Sequence, residues 1–209
     1  MLTALLQQKL THFFNILDVG SDGAIDKEDF MSVGKNLALL RCNDEGSREY
    51  NETMKRCLSR WRDFCAFTHI TEDDYLLLNE WLRIMDREYG SIPQKHFVDQ
   101  LVFGLFKEFD IYGDEYIYLD EFVDFYMAYK IEMKYAGKSF TSLDLNHDQR
   151  ISFHELQQAT SEYFESEDIR SKGNWLFGFW GKELLTPYPK VMMASLSAIN
   201  SFVGDPQKH

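Results

Sequence analysis

Basic residues are scarce in this chain: 22 lysines and arginines stand against 34 aspartates and glutamates, a formal net charge of −12. With no basic run or cluster, a nucleic-acid backbone finds no electrostatic footprint, and nucleic acid is excluded as an expected partner. Long apolar runs are missing too. Nothing approaches the roughly 18 consecutive apolar residues of a membrane span, so no transmembrane segment is expected. Met1 to Leu17 interrupts its leucines and phenylalanines with Gln7, Gln8, Lys9 and Asn15, which reads as an amphipathic helix and not as a secretory signal. Cysteine is sparse. Cys42, Cys57 and Cys65 form an odd set without metal-ligand spacing, which points to free thiols in a reduced, cytoplasmic setting, each better suited to apolar filling than to catalysis.

What the chain does have is apolar and aromatic mass, at 44% and 15%, enough to exclude disorder and to supply a real core. Within it, Asp144 to Glu155 reads DLNHDQRISFHE. Asp144, Asn146, Asp148 and Glu155 occupy slots one, three, five and twelve of a helix–loop–helix calcium loop, and Arg150 at seven offers its backbone carbonyl. A hard dication needs about 6 to 8 oxygens in place of its water, and one short loop supplies most of them. Gln149 replaces the glycine usual at slot six, where the turn needs a positive φ; a side chain there costs on the order of 1 kcal/mol and weakens the site without removing it. An Asx-rich turn would need less: here the apolar slot-eight residue Ile151 and the flanking Phe140, Leu143 and Leu156 match as well.

Used as a template, this loop reveals four copies of one unit, with loops opening at Asp18, Asp63, Asp110 and Asp144 and isoleucines at Ile25, Ile70, Ile117 and Ile151. Phe30, Tyr75, Phe122 and Leu156 follow the loops. Facing strands are expected to tie hand 1 to hand 2, through Ile25 and Ile70, and hand 3 to hand 4. In the first loop, Asp18, Asp22, the Ala24 carbonyl and Asp29 fall in ligand slots, Gly23 supplies the turn and Asp26 at nine acts through water. Gly20 removes the ligand at three, and Asp29 is shorter than the usual glutamate at twelve. That shorter reach favours six-coordinate Mg2+ relative to Ca2+. The second loop has only Asp63 and Asp74 in ligand slots, with Cys65, Phe67 and Thr68 between them, and is expected to be empty. The third keeps Asp110, Asp114 and Glu121 but carries Tyr112 at three and Glu115 at six, which leaves weak metal binding and a solvated acidic turn equally open.

Between the loops, helices are expected near Lys27–Leu40, Thr53–Arg62, Asp74–Tyr89, Lys95–Phe109 and Asp120–Tyr135, with 43–52 as a connector. The Gly90, Ser91, Pro93 break divides an N-terminal pair, 1–90, from a C-terminal pair, 91–181. Ala136, Gly137, Lys138 and Ser139 resemble the end of a nucleotide-binding loop, but Glu132 stands where its first glycine belongs, so the segment is taken as a connector. The cluster Trp175, Leu176, Phe177, Phe179 and Trp180 is expected to fold back into the body. Residues 182–209 form an extension in which Met192, Leu196, Ile199 and Val203 share one helical face, suited to internal packing or to a protein target.

Four hands, unequal loop spacing, a dead second loop and the Gly173, Asn174, Trp175, Leu176, Phe177, Gly178 tail together resemble the invertebrate sarcoplasmic calcium-binding proteins, most closely the calexcitin branch. The likeness covers residues 1–181. It implies an all-α, four-EF-hand cytosolic protein that buffers or senses calcium, and no enzyme is expected; for calexcitin-like members it also implies signalling toward ion channels and a nucleotide activity. That family more often keeps its third loop and loses its fourth, whereas here the fourth is most complete. Two rival functions are weighed beside it. A luciferin-like small-molecule carrier of the same fold would need histidine, tryptophan and tyrosine facing inward, while His12, His69, His96, His147 and His154 lie mostly near loops. A nucleotide hydrolase would need a phosphate cradle, and the incomplete segment at Gly137 is its best candidate.

Overall fold

The computed structural model describes residues 1–181; the expected amphipathic stretch at 182–209 lies outside the described residues. Eight α-helices and four two-residue strands follow in order: α1 Ala4–Leu17, β1 Ala24–Ile25, α2 Lys27–Leu40, α3 Arg48–Thr68, β2 Leu76–Leu77 and α4 Leu78–Glu88 in the first half. The second half holds α5 Ile92–Phe109, β3 Tyr116–Ile117, α6 Leu119–Ala128, α7 Ala136–Leu143, β4 Ile151–Ser152 and α8 Phe153–Glu165. The all-α expectation holds. Every α-helix but α7 starts where a short polar side chain or a slot-twelve acid satisfies free backbone N–H groups. Thr3, Ser47 and Ser91 cap α1, α3 and α5, while Asp26 and Asp29 form a reciprocal capping box at α2, as Ser152 and Glu155 do at α8.

Both strand pairs are antiparallel. In the C-terminal pair Tyr116 faces Ser152 and Ile117 faces Ile151. In the N-terminal pair Ala24 faces Leu77 and Ile25 faces Leu76, which corrects the expected partnership of Ile25 with Ile70. The second loop therefore starts at His69, six residues later than Asp63, and ends at Glu80. Asp63, Cys65 and Phe67 belong to α3, which runs on past Arg62 to Thr68, and the residue after the loop is Trp81 instead of Tyr75. The helical spacing of Cys57, Trp61, Phe64, Cys65 and Thr68 explains the extension: all are buried on one stripe.

Three smaller boundaries also move. The connector before α3 ends at Ser47, within the expected 43–52 stretch. The helix expected over Asp120–Tyr135 stops after Ala128, because Lys130 takes a left-handed φ of 55° and Ile131 N–H donates back to the Tyr126 carbonyl at 2.8 Å. Gly137, Lys138 and Ser139 then form the opening turn of α7 instead of a connector.

The core is continuous across both halves and is rich in rings. Phe13 of α1 sits 5.0 Å from Phe164 and from Phe177 and 6.0 Å from Trp81, centre to centre. Trp175, Leu176 and Phe177 fold back into this core as expected, with 2%, 0% and 1% exposure. Gly173 makes that return possible, since a Cβ there would meet the Ala159 carbonyl oxygen at 2.3 Å. Two charged groups are buried with the rings. Lys9 Nζ donates to the carbonyls of Glu162 and Ser166, at 3.1 and 2.7 Å, and to Asn174 Oδ1 at 3.0 Å. Glu108 of α5 accepts from Arg41, Arg56 and Arg60, joining α5 to the end of α2 and to α3.

Candidate metal centres

Loops 1, 3 and 4 share one internal scaffold. The slot-one aspartate accepts the N–H groups of slots five and six through its two oxygens. In loop 4 these are Asp148 at 3.1 Å and Gln149 at 2.9 Å on Asp144; in loop 1, Asp22 at 3.1 Å and Gly23 at 2.9 Å on Asp18; in loop 3, Asp114 and Glu115, both at 3.1 Å, on Asp110. The slot-five carboxylate repeats the pattern one step on, accepting from slot seven: Ala24 on Asp22, Tyr116 on Asp114 and Arg150 on Asp148. Slot six takes a positive φ in all three, at Gly23, Glu115 and Gln149. The missing glycines of loops 3 and 4 thus cost local strain of about 1 kcal/mol each without changing the path of the chain.

The slot-twelve acids point back into their loops. Glu155 Oε1 accepts from Leu145 and Asn146 N–H, at 2.9 and 3.3 Å, and its Oε2 from the Ser152 N–H and hydroxyl, at 2.9 and 2.8 Å. Glu121 does the same with Ile111, Tyr112 and Tyr118. Burial works against the Glu155 carboxylate, but the Ser152, Leu145 and Asn146 hydrogen bonds outweigh it and hold its pKa below the usual range. For Asp29 and Glu121 burial prevails, and their pKa values are raised. In loop 1 the two departures turn out to be one feature. The Gly20 N–H reaches Asp29 Oδ1 at 2.8 Å, and a Cβ on residue 20 would crowd that oxygen at 3.3 Å, so the short acid and the missing side chain fit each other.

Asp144, Glu155, Asp18 and Asp29 are almost wholly buried, and among the described residues none of the four pairs with a lysine or arginine. Among the described residues no three Asp, Glu, His or Cys side chains converge on a point in this conformation; the carboxylates face loop N–H groups instead. The donor chemistry nevertheless fits a hard dication. Carboxylates are concentrated inside one short loop, Asn146 adds a carboxamide oxygen, and the Ala24 and Arg150 carbonyls add backbone donors.

Loop 2 is built otherwise. His69, in slot one, has a left-handed φ of 62° and closes α3, and Asp74 turns to the Thr71 N–H and hydroxyl at 3.1 and 2.8 Å. Glu80 keeps the capping bond to Leu77 N–H at 3.1 Å. Asp63, exposed on α3, is not brought to Asp74. What passes unnoticed in the sequence is Glu80, four residues after Leu76, as Asp29, Glu121 and Glu155 stand four residues after Ile25, Ile117 and Ile151. Cys57 and Cys65 pack in the core, and burial pushes both thiols up to about 11, as suits filler.

Four helix–loop–helix hands joined in pairs by two short antiparallel ladders define the four-EF-hand fold of the sarcoplasmic calcium-binding proteins. A comparison with protein-family models finds no match. The chain is similar to calerythrin of Saccharopolyspora erythraea, 24% identical over 167 residues covering 78% of this chain and 94% of that protein. It is also similar to sarcoplasmic calcium-binding proteins I, III and IV of Branchiostoma lanceolatum, 23% identical over 131 residues, covering 60% and 71%. Among solved structures, the amphioxus sarcoplasmic calcium-binding protein superposes with a TM-score of 0.66 at 19% identity, covering 86% of this chain and 99% of that one. The coelenterazine-binding protein of Renilla muelleri, in its Ca-loaded apo form, gives 0.67 at 19% identity, covering 85% and 99%.

Proposed function

We propose that this protein binds calcium in loops 1 and 4, more weakly in loop 3, and serves as a calcium buffer or sensor of the cytoplasm. One observation carries the reading: loops 1, 3 and 4 repeat the same carboxylate scaffold, and among the described residues their buried acids Asp18, Asp29, Glu121, Asp144 and Glu155 form no ion pair with a lysine or arginine. In such loops the acids repel one another until a dication offsets their charge, and the change is passed to the flanking helices. Ligation is assigned to Asp144, Asn146, Asp148, Arg150 and Glu155 in loop 4 and to Asp18, Asp22, Ala24 and Asp29 in loop 1, with Asp110, Asp114 and Glu121 in loop 3. Loop 1 also takes magnesium, because Asp29 is short and Gly20 brings no oxygen. Hands 1 and 2 act as one unit and hands 3 and 4 as another. A protein target on the apolar positions Met192, Leu196, Ile199 and Val203 completes the proposal; truncation after Gly181 tests it, with unchanged metal affinity and oligomeric state counting against any role for the tail.

The central test is calorimetric titration with calcium and magnesium, read together with a dye for exposed apolar surface. A sensor exposes surface on binding and a buffer does not. Identical calcium isotherms for wild type and a Glu155→Gln variant would refute the reading. Small-molecule carriage has less in its favour. The spaces beside Phe125 and Phe64 measure about 10 and 50 Å³, whereas a drug-sized ligand occupies roughly 300 Å³ or more. The larger hollow, about 680 Å³, is an open trough at β2 and α4 walled by Arg83, Arg87, Asp74 and Glu80. For a nucleotide hydrolase, Gly137 to Ser139 sit in a helical turn preceded by a 3-10 turn, which is not a strand-to-helix phosphate cradle.

A further inference from the structure

Arg150 does more than lend a carbonyl. The antiparallel register of β3 and β4 sets Tyr118 opposite Arg150, one step beyond the Ile117–Ile151 pair. The guanidinium carbon lies 3.6 Å from the centre of the Tyr116 ring, and Arg150 Nε donates to Asp148 Oδ2 at 3.0 Å. Tyr118, cross-strand from Arg150, donates its hydroxyl to Asp114 Oδ2 at 3.0 Å. An ion pair, a cross-strand pair and a hydrogen bond thus line up Asp148, Arg150, Tyr118 and Asp114 across the ladder. The two ends of this line are the slot-five acids of loops 4 and 3. Each end uses Oδ1 for the slot-seven N–H of its own loop and gives Oδ2 to the line. Loop 1 carries Ala24 at slot seven and has no such cation to offer.

We propose that Arg150 is a built-in competing cation that couples loops 3 and 4 with negative sign. This rests on the calcium reading above. Asp148 enters metal ligation only by loosening its hold on the guanidinium, so the arginine weakens loop 4. Confined between two tyrosines, the displaced charge has Tyr118 as its other partner, and through it Asp114. Filling loop 4 thus directs positive charge toward loop 3 and opposes a second dication there. By linkage, filling loop 3 opposes loop 4 to the same degree. The ion pair is partly exposed, so the effect is modest and fades as salt rises.

The test compares full-length wild type, Arg150→Gln, Tyr118→Phe and Glu155→Gln by calcium calorimetry at low and high salt. Arg150→Gln is expected to bind calcium in loop 4 about two- to fivefold more tightly at low salt, the range of an exposed ion pair, and to lose the anticooperativity. Tyr118→Phe is expected to keep the wild-type affinity of loop 4 while loop 3 becomes insensitive to whether loop 4 is filled. A second readout is the Arg150 Nε–H resonance, expected to move on adding calcium to wild type and to stay still in Glu155→Gln. The relay is overturned if Arg150→Gln superimposes on wild type while Glu155→Gln loses a site. A Glu155→Gln isotherm equal to wild type overturns the calcium reading and the relay with it.

Discussion

Hands 2 and 4 hold equivalent places, each the second member of a pair, each ending its loop with a glutamate that caps the next helix. Glu80 binds Leu77 N–H and Glu155 binds Ser152 N–H. Their exit helices even dock on neighbouring residues of α1: Trp81 Nε1 donates to the Leu10 carbonyl at 3.0 Å and the Tyr163 hydroxyl to that of Lys9 at 2.7 Å. The difference lies at slot one. Asp144 gathers two backbone N–H groups and winds the loop around itself, whereas His69 merely ends a helix. The strand, the cap and the apolar anchor therefore suffice for the hand as a structural part, and the slot-one carboxylate is what makes it an oxygen cage.

The strongest way to break this comparison is Trp81→Ala. Trp81 is fully buried, so about 3–5 kcal/mol of stability should be lost in urea unfolding, with loop 4 still binding calcium under native conditions. A loss below 1 kcal/mol would deny hand 2 its structural part. Next comes Glu155→Gln, expected to weaken loop 4 on the order of 100-fold by removing a charged donor, as calorimetry would show. Lys9, beside the two docking bonds, sharpens the contrast through pH. Burial lowers its ammonium to about 8 from an ordinary 10.5, so between those values the unfolded chain holds the extra proton and stability rises with pH. Measured against Lys9→Met, wild type should gain about 1–3 kcal/mol across that window, and a flat difference would refute the assignment. The smallest effect belongs to Glu80→Gln, expected to leave calcium stoichiometry unchanged and affinity within about twofold.

Loops 1, 3 and 4 are legible in the chain because their spacing of acids is tied to an isoleucine at a fixed offset. Hand 2 is misplaced by six residues for a physical reason: without a slot-one acid the frame has nothing to fix it, and Asp63, Ile70 and Asp74 imitate a loop by accident of spacing. Leu76, Glu80 and Trp81 carry the true register in apolar strand, cap and core residue. The Lys9 and Glu108 knots were not legible, since each joins residues remote in sequence whose meeting depends on the finished packing. Arg150 illustrates the same limit at short range, as its slot says nothing about where its guanidinium goes.

The Lys9 ammonium finds its oxygens 153 to 165 positions further along the chain. A ribosome has to deliver almost all of the described residues before the opening helix acquires these partners. Until then, that helix waits with a hydrated ammonium and an apolar stripe in search of cover. The slow step of maturation should accordingly be the closure of head upon tail, a long-range contact that tethers late and opens early under force.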